Sequence, residues 1–107
     1  MDIRIYTDRQ GLAPFEYWLE ALPDKVARAR IRARLVRVAA GNLGDIKPLR
    51  DGVQALRIDH GPGYRVYLSR QGAVLVLLLC GSSKSDQDRE ISKAIAYLQD
   101  WKERGKP

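Results

Sequence analysis

The segment AVLVLLLC at positions 73–80 is apolar from end to end. It is too short to span a bilayer and too uniformly apolar for a strand with one wet face, so it predicts a central β-strand covered on both faces. Such a strand needs an apolar layer above it and another below, and the rest of the chain has to supply them.

The 107 residues suffice for one domain with a modest core, read as a single unit over 1–107. Hydrophobic residues make up 45% and charged residues 30%, without repeats or low-complexity runs, a profile that excludes a disordered or fibrous chain. The N-terminus MDIRIYTDRQ lacks a basic segment followed by an apolar stretch, so no signal peptide is read and the expected location is cytoplasmic, with no membrane attachment.

The alternation in DIRIYT predicts a short first strand. Pro14, then Phe15, Trp18, Leu19 and Leu22 at spacings of three and four, predict a short helix that stops before Pro23. From 23 to about 40 the composition is rich in Ala, Arg and Leu and ends at Gly41, predicting a second helix. Two stripes run along it, Ala27/Ile31/Leu35/Val38 and Val26/Ala29/Ala33/Val36, so a broad buried face is expected. The segment GNLGDIKPLRDG reads as a loop carrying Lys47 and Arg50. Strands are predicted at 53–59, 64–69 and 73–81, joined by the turns HGPG and RQG into an antiparallel meander. Ser85 and Asp88 form an N-terminal helix signature ahead of the stripe Ile91, Ala94, Ile95, Leu98 and Trp101.

The charge balance, 19 Lys and Arg against 13 Asp and Glu, points to a polyanionic partner. The second helix is the most basic element, with Lys25, Arg28, Arg30, Arg32, Arg34 and Arg37 against Asp24; it is either a solvated face or a docking surface for nucleic acid or an acidic protein. Side chains alternate along a strand, so Arg57 and Arg65 are expected on one open sheet face, near each other across the hairpin. Lys84, emerging after the last strand and before a helix N-terminus, would complete a cationic cluster suited to phosphate. The plainer alternative is that Asp59, Asp86 and Asp88 neutralise these cations in surface ion pairs.

His60, the single histidine, lies in the turn DHGPG and is either solvated or a general acid or base. Cys80 has no disulfide partner and reads as a small buried hydrophobe. No metal-ligand cluster or phosphate-binding glycine loop is evident, and no cofactor is expected.

The segments GDIKPLRDGVQ, LRIDHGPGYRVY and LLLCGSSKSDQDREISKAIAYL together resemble the RelE/ParE toxin superfamily, most closely its HigB-like branch of addiction-module killer proteins. The resemblance implies a RelE-like α+β fold: an antiparallel sheet of about four strands, two N-terminal helices packed on it and a C-terminal helix. It also implies the toxin of a type II toxin-antitoxin system, held in a hetero-oligomer by a cognate antitoxin. The activity implied is that of a metal-independent endoribonuclease, an mRNA interferase, commonly acting on the ribosome.

Carried over by position, Arg65 matches the arginine that binds the scissile phosphate, Arg57 the basic residue of the preceding strand, and Lys84 the basic residue after the last strand. Lys47 and Arg50 join these as RNA-binding candidates. The aromatic or histidine that several members carry near the start of the last helix is absent from SDQDREI, leaving Lys84, Tyr67 and His60 as acid-base candidates. A different class within the same resemblance is the ParE-like toxin, which acts without catalysis by binding DNA gyrase.

Overall fold

A computed structural model of the chain describes residues 1–105. Its elements are, in order, β1 (Asp2–Ile5), α1 (Pro14–Ala21), α2 (Lys25–Ala39), β2 (Ile46–Pro48), β3 (Gln54–Ile58), β4 (Tyr64–Gln71) and β5 (Leu75–Ser83), then a 3-10 turn (Lys84–Asp86) and α3 (Gln87–Glu103). The fold is α+β, and the strands form one five-stranded sheet in the order β1-β5-β4-β3-β2. No helix among the described residues is long and apolar enough to cross a membrane.

The sheet differs from the expected four antiparallel strands in two ways. β1 pairs with β5 in parallel, Asp2 opposite Leu75 through Ile5 opposite Leu78, which makes the sheet mixed. Parallel pairing requires a long crossover, and the intervening helices and hairpins provide it. The second difference is β2, which lies in the segment read as a loop and pairs antiparallel with β3 at Lys47 and Ala55. It is three residues long and ends in Pro48, which suits an edge strand because the proline has no N–H to offer a further neighbour.

β5 lies between β1 and β4 and is covered on both faces. One layer contains Phe15 and Leu19 of α1, Ala27, Ile31 and Val38 of α2, and Leu56, Val66, Leu68, Val76 and Leu78 of the sheet. The other contains Ala55, Tyr67, Leu77, Leu79 and Cys80 of the sheet against Ile91, Ala94, Leu98 and Trp101 of α3. Leu79 and Cys80 are neighbours in sequence yet both belong to the α3 layer, because the β4–β5 register shifts at Tyr67/Leu68. Beyond this bulge Gly81 turns to α1, so close to Trp18 that a Cβ there would collide with the indole ring. Ile31 is fully buried; its truncation to Ala would cost roughly 2–5 kcal/mol, a large part of the 5–15 kcal/mol that holds a domain folded.

α2 begins at Asp24, whose carboxylate accepts from the backbone N–H of Val26 and Ala27 at 2.9 and 3.1 Å. It ends with the N–H of Gly41 donating to Val38 O and that of Asn42 to Arg37 O, a pairing that needs Gly41 at φ +95°. Its buried face is narrower than expected. Ala27, Ile31 and Val38 are buried, whereas the whole second stripe, Val26, Ala29, Ala33 and Val36, faces solvent. α3 also starts later than the Ser85 signature implies. The 3-10 turn shifts the helix start to Gln87, and the Ser85 hydroxyl pairs with that of Ser83 at 3.0 Å rather than capping the helix.

Candidate functional site

The β3–β4 register puts Arg57 directly opposite Arg65, and the β4–β5 register puts Arg65 opposite Ser82. These residues form one row on the α3 side of the sheet. The neighbouring row, Ala55, Tyr67 and Cys80, is roofed by α3. The arginine row therefore lies just past the start of α3, where the roof ends.

The two arginines differ in what holds them. Arg57 makes an ion pair with Asp45, its Nη2 at 2.6 Å and its Nε at 3.0 Å from Oδ1. Asp45 is none of the three acids considered from sequence. It reaches this place because the backbone N–H of Arg57 donates to Asp45 O, continuing the β2–β3 register by one residue. Arg34 of α2 fastens the same corner, donating to the carbonyls of Arg57 at 2.7 Å and Leu43 at 3.2 Å. Burial holds its guanidinium below the ordinary arginine range, and it acts as a structural clamp instead of a surface cation.

Arg65 donates from Nε to Gln87 Oε1 at 3.2 Å and from Nη1 to Tyr64 O at 3.4 Å. Neither partner is charged, so no carboxylate offsets the guanidinium. Lys84 approaches from the other side of Gly63: its backbone N–H donates to Gly63 O at 2.9 Å. A Cβ built on Gly63 would lie 3.6 Å from Lys84 Cβ and 3.9 Å from Arg65 Nη1. A glycine at φ +86° thus leaves Arg65 and Lys84 side by side with no side chain between them. The first turn of α3 carries Asp88 and Glu90, which already answer much of its positive end.

The remaining candidates lie elsewhere. His60 turns away from the arginine row, its Nε2 3.0 Å from Asp24 Oδ2 at the start of α2. The Ala27 backbone amide, followed by His60, holds the Asp24 carboxyl below its usual range. Tyr67 is fully buried under α3 with its hydroxyl 3.0 Å from Ser82 Oγ, and burial raises its pKa. Neither offers an exposed acid or base beside Arg65. Lys47 is exposed on β2, opposite Ala55 and so on the same sheet face. Arg50 is at the far end, lining a cleft of about 550 Å³ with Arg70, and its nearest acid is Asp51 at 3.9 Å. Cys80 is buried and its thiol is pushed well up by desolvation, which leaves it inert. Among the described residues no group of three or more His, Cys, Asp or Glu could hold a metal ion.

Two residues that decide this geometry, Asp45 and Gln87, escape a reading by composition. Asp45 sits in a glycine-rich segment with no strand signal, and Gln87 is uncharged and so draws no attention in a search for acids and bases.

No family model matches the chain. It is 51% identical over 86 residues to an uncharacterized protein of Haemophilus influenzae, an alignment spanning 80% of this chain and 87% of that protein. At that identity and coverage, the chain belongs to the same family as the Haemophilus protein.

Proposed function

We propose that this chain is a RelE/ParE-type toxin of the HigB-like branch, a metal-independent endoribonuclease acting on mRNA and neutralised by a cognate antitoxin. The observation that carries this reading is the Arg65–Lys84 pair around Gly63, opposite Arg57 and without a carboxylate on Arg65. Two uncompensated cations side by side cost stability, and a phosphate oxygen placed between them removes that cost.

In the proposed reaction the RNA 2′-oxygen attacks the adjacent phosphorus and the bond to the 5′-oxygen breaks, giving a cyclic phosphate and a free 5′-hydroxyl. The 2′-hydroxyl surrenders one proton and the leaving oxygen takes one. Arg65 binds the phosphate through Nη2 while Gln87 holds Nε and the Tyr64 carbonyl holds Nη1, and Lys84 adds charge where the phosphorane becomes most negative. Lys84 is the exposed titratable group next to Arg65, which makes it the foremost proton donor for the leaving oxygen.

One observation favours the second reading, a gyrase-binding toxin without catalysis: His60 is committed to Asp24 and Tyr67 is sealed under α3, so the arginine row lacks the acid-base pair that fast cleavage requires. Expression without antitoxin, followed by mapping of new 5′-hydroxyl ends on cellular RNA, separates the two. Fresh 5′-hydroxyl ends support the ribonuclease; intact transcripts with arrested or broken DNA support the gyrase reading.

A further inference from the structure

The two edges of the sheet are not protected alike. β2 closes one edge with a short strand ending in Pro48, which has no N–H to offer a further neighbour. β1 closes the other with DIRI, which contains no proline, glycine or lysine. The N–H of Asp2 donates to Val74 O and that of Tyr6 to Leu78 O, so Asp2, Arg4 and Tyr6 turn their N–H and C=O toward β5. Ile3 and Ile5, lying between them, turn theirs outward, where a row of backbone donors and acceptors is a template for another strand.

The side chains of β1 divide by face. Ile3 and Ile5 are half-buried against the core layer of α1 and α2, and beside Ile5 a cleft of about 280 Å³ opens toward Phe15, Leu19 and Leu35. Asp2 and Arg4 lie on the opposite face and are exposed. A carboxylate and a guanidinium therefore stand two residues apart on one edge, with Ile3 midway between them.

We propose that β1 pairs antiparallel with β1 of a second copy of this chain about a two-fold axis at Ile3, joining the two sheets into one continuous sheet. In this register the outward N–H and C=O of Ile3 meet those of the partner's Ile3, Asp2 falls opposite the partner's Arg4, and Arg4 opposite the partner's Asp2. Opposite charges facing across a strand pair attract, and the two-fold symmetry makes each such contact twice. Other registers lose this match. A shift by two residues sets Asp2 against the partner's Asp2 or Arg4 against the partner's Arg4, and a slip by one sets isoleucine against charge. The charge pattern is complementary to itself, which favours a second copy over an unrelated strand. The contact is short, so the dimer is a weak one. β1 follows β5 only as far as Leu78, whereas the arginine row lies at Ser82, so the proposal holds whether or not the chain cuts RNA.

Sedimentation equilibrium of the full chain over a rising concentration series tests this, and the wild type should fit a reversible monomer–dimer equilibrium. Asp2→Arg sets Arg against Arg and Arg4→Asp sets Asp against Asp; each should weaken self-association by about tenfold or more, with an unchanged circular dichroism spectrum. Mixed together, the two variants should form a heterodimer of nearly wild-type affinity, and the double variant Asp2→Arg with Arg4→Asp should again pair with itself. Hydrogen exchange on the wild type needs no substitution: the Ile3 amide should exchange more slowly as concentration rises, while the Arg4 amide, already turned to β5, should not change. A chain that stays monomeric across the series overturns the proposal. So does a dimer indifferent to Asp2→Arg, which would lie on another face, a mixture in which the two variants fail to complement, or an Ile3 amide whose exchange ignores concentration.

Discussion

Arg57 and Arg65 stand opposite each other in one sheet row, yet the two sides of that row have opposite electrostatic character. On the β2 side the cation is answered at 2.6 Å by Asp45, and on the α3 side it is steadied by the amide of Gln87. A carboxylate and an amide are nearly the same shape, so the difference lies in charge alone. Strand register fixes where an arginine points, but the residue one element further out decides whether it remains available to an external anion.

The sharpest break of this comparison is the pair of truncations. Arg65→Ala should lower RNA cleavage by roughly 10²–10³-fold with little change in melting temperature, whereas Arg57→Ala should cost only a few-fold. Equal losses in a single-turnover assay would mean that Asp45 does not set the two apart. Next in size is Gln87→Glu, which hands Arg65 its own carboxylate; cleavage should fall about tenfold, equivalent to about 1.4 kcal/mol. Gln87→Ala should fall less, because it loosens the guanidinium without neutralising it. In the other direction, Asp45→Asn frees Arg57 and should tighten binding of a short RNA a few-fold, with the salt dependence of log K steeper by about 0.7. An unchanged slope would show that Arg57 does not reach RNA.

The smallest effect concerns the turn between the two arginines, tethered by His60 to Asp24. The Asp24 carboxyl titrates below its ordinary value in the folded chain, so its contribution to stability is complete above that ordinary value and is lost as pH falls through the depressed one. Melting temperature should therefore fall more steeply for the wild type than for Asp24→Asn between about pH 5 and pH 2.5. Parallel curves would show that the tether contributes nothing.

The same-face relation of Arg57 and Arg65 was legible because alternation along a strand is a local rule, and the burial of β5 was legible because no polar residue interrupts 73–80, although the strand expected from 73 begins only at Leu75 and Ala73 and Val74 are exposed in the turn before it. The parallel partner of β5 was not, since an edge strand such as β1 carries no mark of which neighbour it will join. Tyr67 reads as open when only the hairpin is considered; it is buried because α3 folds back over that row. Both stripes of α2 are apolar, and the one that meets the sheet is the bulkier, carrying Ile31 and Leu35 where the other has alanines. His60 illustrates the same limit, as its direction depends on an acid 36 residues away.

The pairing of Asp2 with Leu75 also orders the events of synthesis. The first strand to leave the ribosome must wait for nearly the last one before it finds its place, and α1 waits with it for Gly81. The β3–β4 hairpin closes over a short turn and brings its arginines together early, ahead of the helix that carries Gln87. A nascent chain therefore carries Arg65 without its Gln87 support, facing an Arg57 that Asp45 can already answer, until its final helix arrives.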